Sequence, residues 1–597
     1  MIVVDRELAD SERAALANAQ VTDLAGRPPV AGPGPAERAL WDWLENSGGL
    51  EINGVTFREF FRLGRSSYWL HVRARIFHTL VSHARALDRL GDREVLSRVS
   101  TVYCGNTDVD FWQWWAPKAE TIVERPASLK RRISLLRVIA DELLNVQRYL
   151  RSVRRALQAR PPVVLFTKAQ FNVPIDGRLL DGEFASLLEK CPEPCLRVEY
   201  HELPTVQLQA RAPALRDAPR VHKTVESHAI LASYLLRRPT AAPAFLKNWR
   251  KVKRRLRAPI EHDFGFPDPN GRWLELLRRE IGRVGASVAL LHLLEHAFED
   301  FLSRLRPRVA LVSGENNSPG RTFVDAARRL GITTAGIQHG DVTATNVDYV
   351  VTADEAKSSL PDYFLVWGER TRRFLVEQRY YDPERIVVTG HLRSDLLVAA
   401  APDRASDSDY PSRRLLLFTS QPQPFLRNRL ATARMLANFC KRHHLVCLLR
   451  LHPRELSGDI YEQSFSEAGI RHDLITSGED LYTQIGRCDL GATCYSTTAW
   501  EMMRARKPVL LFDPFHMDLL GVRDEESVFH VDAGGDGFEA WFAERARHIE
   551  RAEELARHFF GPGDGKAAER VIDLLEKIAG PICRAPSSAA AESSREP

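Results

Sequence analysis

Residues 308–340 read RVALVSGENNSPGRTFVDAARRLGITTAGIQHG, and their pattern decides the fold. A short apolar run, VALVS, passes through a polar turn into a helical stretch. A second short apolar run, ITTAGI, follows and ends in a loop holding a histidine between polar and glycine neighbours. Runs of this length that are apolar throughout, separated by helical stretches, fit strands of a parallel sheet covered on both faces. The alternation continues outward. VDYVV, YFLVWG and IVVTG come next, and a stretch at 392–413 ends in a polar, proline- and serine-containing linker. A second series then begins: RLLLFTS, LVCLLRLHP, DLIT, CDLGAT, PVLLF and SVFHV. Upstream, PVVLFTK (162–168) and LRVEYHEL read as two further strands, with a helix between them at 181–190 and another helix at about 285–304.

The pattern predicts an α/β fold of two doubly wound parallel-sheet lobes facing a cleft, with a mixed, helix-rich N-terminal extension. Residues 1–125 form the mixed, aromatic-rich opening, with helices expected on both sides of Asn53-Gly54. Residues 126–160 carry a long helical pattern that Pro161-Pro162 ends. The first lobe spans 161–395 with an irregular insertion at 205–285, and the second spans 412–580. The tail, 584–597, is low in complexity and cannot bury a core.

Composition narrows the function. Of 597 residues, 44% are hydrophobic and 27% charged, ordinary values for a globular protein with large cores. A formal net charge of +5 is too small at this length to indicate a nucleic-acid binder. Eight cysteines, at Cys104, Cys191, Cys195, Cys440, Cys447, Cys488, Cys494 and Cys583, show no paired zinc-ligand spacing, and reduced thiols are expected. The first residues lack the pattern of a signal peptide. No apolar run approaches the roughly 20 residues needed to cross a bilayer. A cytoplasmic protein follows as the expectation.

In open α/β sheets ligands bind beyond the carboxyl ends of the strands, and the chemically active residue types fall there. His339, in GIQHG, leaves a strand between Gly336 and Gly340 and is a candidate proton acceptor; an ordinary loop histidine fits as well. Glu315, in the polar turn after VALVS, is placed facing the same cleft. His452, in LRLHP, is forced into an extended conformation by the following proline, with Arg450 and Arg454 beside it, residue types suited to a diphosphate. Ser496, Thr497 and Thr498 stand before a helix, where free N–H groups and hydroxyls attract anions; capping alone explains them too, and Glu501 completes a capping box with Thr498. At the hinge, Arg393 and Asp395 of GHLRSD are either an ion pair or ligand contacts. Other patterns fail. Asp108-Val109-Asp110 has the form of a metal-binding DxD but lies outside both regular sheets. No P-loop, dinucleotide fingerprint or nucleophile elbow occurs.

Taken together and in this order, GIQHG, TGHLRSD, LRLHP and STTAWE resemble the bacterial surface-carbohydrate enzymes that include capsule Kdo transferases, polysialyltransferases and the CDP-glycerol glycerophosphotransferases. The matching run, about 308–512, covers a third of the chain. The resemblance implies a GT-B fold with an acceptor-side first lobe and a donor-side second lobe. It implies a nucleotide-activated donor, a glycan or lipid-linked acceptor, and no separate cofactor or metal. It also implies a base-like role for His339, phosphate contacts for His452, Ser496 and Thr497, and a ribose contact for Glu501. One departure is Leu392, where the family usually has a small residue or proline before the hinge arginine. The runner-up of the same fold is a nucleotide-sugar 2-epimerase, whose acidic residue after the histidine is not matched by Gly340-Asp341-Val342. A non-catalytic scaffold of a polysaccharide assembly complex is the third reading.

Residues 247–257, KNWRKVKRRLR, add a basic cluster around Trp249 beside Phe245 and Leu246. Cations next to apolar groups can hold a protein at an anionic membrane face, and a solvated helix face explains them equally.

Overall fold

The computed structural model describes residues 2–4, 21–23, 35–46, 51–52, 55–63, 65–90, 99–104, 115–116, 118–123, 146–168, 172–175, 178–191, 195–200, 223–257, 272–340, 342, 348–349, 351, 360–378, 381–395, 414–421, 426–452, 455, 458–470, 472–475, 481–513, 520–531 and 535–582. The opening region contains a small parallel sheet that its aromatic-rich sequence hides. Strands β1 (Ile2–Val4), β2 (Val21–Asp23), β3 (Thr101–Cys104) and β4 (Glu120–Val123) pair in the order β2-β1-β3-β4. Helices α1 (Pro35–Asn46) and α2 (Trp69–Leu90) accompany it. Helix is expected on both sides of Asn53-Gly54 and is found there, in α1 before it and in Phe57–Phe60 and α2 after it; between them Glu51–Ile52 and Val55–Thr56 pair antiparallel across that dipeptide, the pairing an Asn-Gly sequence favours. Of the helix expected over 126–160, α3 (Val146–Ala159) is the described part.

The first lobe is a seven-stranded parallel sheet. Its strands are β5 (Val163–Lys168), β8 (Cys195–Tyr200), β9 (Thr224–Glu226), β10 (Val309–Ser313), β11 (Thr333–Ile337), β12 (Tyr363–Val366) and β13 (Ile386–Val388), in the order β9-β8-β5-β10-β11-β12-β13. An antiparallel hairpin, β6 (Asn172–Ile175) and β7 (Arg178–Asp181), and helix α4 (Ala185–Lys190) lie between β5 and β8. The remaining helices are α5 (Ser227–Arg237), α6 (Ala241–Arg257), α7 (Arg272–Leu305), α8 (Ser318–Arg329) and α9 (Glu369–Glu377). Alternate residues of β5 and β10 face opposite cores. Val164, Phe166, Ala310 and Val312 meet Phe298 and Phe301 of α7 and Phe323 of α8. Val163, Leu165, Val309 and Leu311 meet Leu187 and Leu188 of α4. Burial on both faces is why these strands read as unbroken apolar runs.

Three stretches depart from expectation. Helix α7 begins at Arg272 rather than near 285, because Trp273, Leu276, Leu277 and Ile281 pack against Val72, Ile76 and Leu80 of α2. At 34 residues it is about 50 Å long and serves two cores. The poorly patterned stretch 205–260 contains α5 and α6; the outer face of α6 is basic, which conceals its period. In VDYVV, Asp348 and Tyr349 form a turn, and Tyr349 is buried there against Phe364 and Tyr381.

The second lobe is a six-stranded parallel sheet. Strands β14 (Leu415–Thr419), β15 (Val446–Arg450), β16 (His472–Ile475), β17 (Leu490–Thr493), β18 (Val509–Leu511) and β19 (Val528–His530) take the order β16-β15-β14-β17-β18-β19, each within a run of the second series except β16, which begins one residue ahead of DLIT. Helices α10 (Leu426–Arg442), α11 (Asp459–Ala468), α12 (Leu481–Arg487), α13 (Thr498–Arg504), α14 (Phe538–Ala543) and α15 (Arg545–Phe560) belong to it. The final helix, α16 (Ala567–Ala579), packs on the first lobe, although sequence order assigns it to the second. Its Ala568, Val571 and Leu575 join Val163 and Leu311. The returning chain passes Gly368 of the first lobe, where a Cβ would meet the carbonyl oxygens of His558 and Phe559 at 2.4 Å. The two doubly wound lobes of a GT-B-like fold are thus present.

Reduced thiols hold for Cys195, Cys440, Cys447, Cys488 and Cys494, whereas Cys191 is disulfide-bonded. Cys191 sits at the edge of the core that Ile582 closes, so the returning C-terminal segment passes beside it. Among the described residues no helix is long and apolar enough to cross a membrane.

Candidate functional site

Three neighbouring strand ends of the second lobe bring the expected donor residues together. Central β14 ends at Thr419-Ser420. The Ser420 N–H bonds to the Arg450 carbonyl at 2.9 Å, and the Ser420 Oγ accepts from the His452 N–H at 2.9 Å while donating to the Glu455 carboxylate. The Glu455 N–H closes the turn on the His452 carbonyl at 2.8 Å. On the other side of β14, the Thr419 and Thr498 hydroxyls are 2.6 Å apart, and the Thr493 hydroxyl donates to the Thr419 carbonyl at 2.9 Å. The Ser496 Oγ accepts from the Thr498 N–H at 3.2 Å, and the Thr497 side chain makes no cap hydrogen bond. His452, Ser496, Thr497 and Thr498 therefore flank one point on the sheet edge, with Thr419 and Ser420 between them. Sequence reading missed those two, because a Thr-Ser ending a strand carries no pattern of its own.

Other second-lobe candidates serve the framework. Arg450 donates to the Gln484 Oε1 at 2.9 Å, which ties β15 to α12. Glu501 does not complete a capping box. It is buried, accepts from the Tyr482 hydroxyl at 2.8 Å, and lies 3.7 Å from the Arg393 Nε. The Arg393 guanidinium also covers the Tyr482 ring at 5.3 Å. The Arg393–Asp395 pair is replaced by this link from the hinge to the second lobe. Asp395 instead accepts the N–H groups of Ala567 and Ala568 at 3.1 and 2.9 Å, capping α16. Arg454, Asp108 and Asp110 lie outside the described residues.

In the first lobe, half-buried His339 occupies the loop at the carboxyl end of β11. Its neighbour holds that loop: the Gln338 Nε2 donates to the Gly340 carbonyl at 2.9 Å, and its Oε1 accepts from the Trp367 N–H at 2.9 Å. The two glycines differ in role. A Cβ at Gly340 would meet nothing within 4 Å, whereas one at Gly336 would come within 2.8 Å of the Glu315 Cγ. Because Gly336 leaves that space, Glu315 does not face the cleft. It is 1% exposed and accepts from the Tyr349 hydroxyl at 3.2 Å. Burial pushes its carboxyl up to about 7, against the opposing pull of a backbone hydrogen bond and Arg321.

Two unforeseen residues lie nearby. Lys168, at the end of β5, is buried and runs past Gly314, where a Cβ would approach its Cε to 3.3 Å. Glu183 lies in the turn between β7 and α4, its N–H held by the Asp181 Oδ1 at 2.8 Å. Burial chiefly, and Asp181 next, push its carboxyl up to about 8; Arg393 opposes this, Glu501 adds to it and Lys168 opposes it. Glu183 thus responds to groups from both lobes. The only sequence signal was an acid in a turn ahead of a helix. Among the described residues, no group of three or more histidine, cysteine, aspartate or glutamate side chains is placed to hold a metal ion.

No protein-family model and no curated sequence matches the chain at a significant level. Solved structures do match. A UDP-GlcNAc 2-epimerase from Neisseria meningitidis bound to UDP-GlcNAc is 12% identical, with a TM-score of 0.43, covering 70% of this chain and 99% of that one. The S. aureus MnaA–UDP structure is 12% identical, with a TM-score of 0.44, covering 71% and 98%. The wall teichoic acid polymerase TagF with CDPG is 12% identical, with a TM-score of 0.40, covering 75% and 98%.

Proposed function

We propose that the protein is a transferase that moves an activated sugar or polyol phosphate from a nucleotide donor to a glycan or lipid-linked acceptor, in bacterial surface polysaccharide biosynthesis. The observation that carries this reading is the grouping of His452, Ser496, Thr497 and Thr498 around the end of β14. The order of motifs that resembles the surface-carbohydrate transferases supports it.

In this reading the second lobe holds the donor phosphates through His452, the hydroxyls of Ser496 and Thr497, and N–H groups at the start of α13. Fixed donors of this kind stabilise charge building on a departing phosphate. Arg454 is the arginine assigned to the same phosphates, since Arg450 is committed to Gln484. Glu501 is assigned to holding Arg393 rather than ribose. The acceptor hydroxyl passes its proton to His339, its oxygen bonds to the transferred group, and the bond to the nucleotide phosphate breaks. Glu183 replaces Glu315 as the carboxylate alternative to His339, because Glu315 is enclosed. The protein is assigned to the cytoplasm, at the inner face of the membrane.

Product analysis tests the assignment. Purified protein incubated with candidate nucleotide sugars and CDP-glycerol should release nucleotide only when an acceptor is added. Conversion of a nucleotide sugar to its epimer without an acceptor would replace the transferase with an epimerase. Neither reaction, with every donor tried, would leave a scaffold.

A further inference from the structure

The four exposed large hydrophobic side chains among the described residues are Leu236, Leu246, Leu290 and Leu330, at 61, 49, 44 and 40% exposure. Leu330 lines a groove, and the other three are carried on the helices that border it. The groove, of about 570 Å³, opens between α5, α6 and α7; its lining combines apolar side chains, Ala244 and Phe245 of α6, Ala289 and Leu293 of α7 and Leu330 after α8, with polar ones that include Arg238, Asn248, His292, His296, Glu299 and Asp300. Leu236, Leu246 and Leu290 each lie within two residues of a lining residue on the same helix or its end. Monomeric proteins rarely gather exposed apolar groups in this way without a partner for them.

Charge says what the partner is. Residues 239–257 contain no aspartate or glutamate. Lys247, Arg250, Lys251, Lys253 and Arg254 are all exposed on α6, and none pairs with a carboxylate among the described residues. Lys253 instead lies over the Trp249 ring at 4.8 Å. The carboxylates inside the groove are already matched: Glu299 with Arg329 at 2.9 Å, and Asp300 with Arg237 at 3.1 Å. His292, on the floor, is held down to about 4 by burial, then by His296 and Arg329, and is neutral at physiological pH. The groove is therefore not lined by unopposed negative charge, and its flank is positive.

We propose that this face docks on an anionic lipid bilayer, with the cations of α6 against phosphate headgroups and an apolar lipid chain entering the groove. The inference deepens the lipid-linked acceptor reading, and its test reads binding alone, so catalysis and docking fail separately. The inner side of α6 is anchored apart from this face. Val252 is buried in the core with Trp273, and Arg255 donates to the carbonyls of Phe60 and Arg62 at 3.2 and 2.9 Å. The outer residues can be changed without touching that anchor.

The full chain is sedimented with phosphatidylcholine vesicles, with and without phosphatidylglycerol, at low and at raised salt. Binding is expected with phosphatidylglycerol, weakening as salt rises. Lys247→Glu/Arg250→Glu/Lys251→Glu should lower it by roughly 100-fold or more. Leu246→Asp and Leu290→Asp should each lower it by roughly ten-fold. Ala289→Trp, which fills the groove, should reduce uptake of a fluorescent-chain lipid while circular dichroism stays unchanged. Equal binding to both vesicle types, or none, overturns the proposal. Loss in the charge variant with no effect of the leucine and Ala289 substitutions reduces the face to electrostatic adsorption, and overturns the groove's role.

Discussion

The contact between the lobes can be tested at His391. This side chain is 8% exposed, stacked on Phe560 with ring centres 4.4 Å apart and edge-on to Trp367 at 4.7 Å. Burial, then Arg393 and Arg504, hold it down to about 3. A histidine in the unfolded chain titrates near 6.5, so the folded state binds fewer protons in the interval between these values. The folded pKa is depressed, and the associated stability is present above about 6.5 and lost as the pH falls toward 3. Between about pH 7.5 and about pH 5 the loss amounts to about 2 kcal/mol. His391→Phe keeps both ring contacts and removes the titration. Because two lobes need not unfold together, the assay is native-state hydrogen exchange at amides around Trp367, at both pH values, in wild type and variant. The wild type should lose about 2 kcal/mol more than the variant on acidification. Parallel losses in both proteins would refute a neutral, enclosed histidine at the hinge.

Three further perturbations probe the close approach at Gly368 and the cleft. Gly368→Ala drives a Cβ into the carbonyls of His558 and Phe559; overpacking of this kind costs roughly 1–3 kcal/mol and should lower the melting temperature by several degrees, and an unchanged melting curve contradicts that approach. Glu183 has a folded pKa raised to about 8, so the stability linked to its proton is complete below the unfolded value and lost as pH rises through about 8. Glu183→Gln, neutral throughout, should therefore be more stable than wild type in urea at alkaline pH, and a destabilised variant contradicts the assignment. His339→Ala should lower kcat by roughly 10²–10⁴-fold with little change in donor affinity, and His452→Ala should damage both, as read by steady-state kinetics; full activity of the first variant moves proton transfer to Glu183.

The parts of the fold that show in the sequence are those where one local cause dominates. The six strands of the second lobe, and β5, β8, β10, β11, β12 and β13 of the first, coincide with largely apolar runs, the pattern that cover by helices on both faces of a parallel sheet favours, although β8 carries Arg197 and Glu199 and β16 begins with His472-Asp473. Helix α7 was half hidden: its two ends face different cores, so no single stripe marks its length. The small opening sheet was hidden because strands of three or four residues carry too little pattern. At the site, strand ends located His339, His452 and Ser496, since loops after parallel strands must converge on the sheet edge. What the sequence could not show was pairing at long range. Arg393 reaches Glu501 rather than Asp395, Asp395 caps a helix more than 170 residues away, and Glu315 turns inward because Gly336 leaves it room. Such partners are chosen by tertiary packing, and no spacing rule encodes them.

The central claim is that the second lobe binds a nucleotide-activated donor at the end of β14. Isothermal titration calorimetry of the full chain with CMP, CDP, UDP and GDP in the presence of EDTA tests it most directly. Saturable binding of at least one nucleotide without metal, weakened by His452→Ala and by Ser496→Ala/Thr497→Ala but not by His339→Ala, is the expected result. Binding of none of them, or binding indifferent to His452, Ser496 and Thr497, would contradict it.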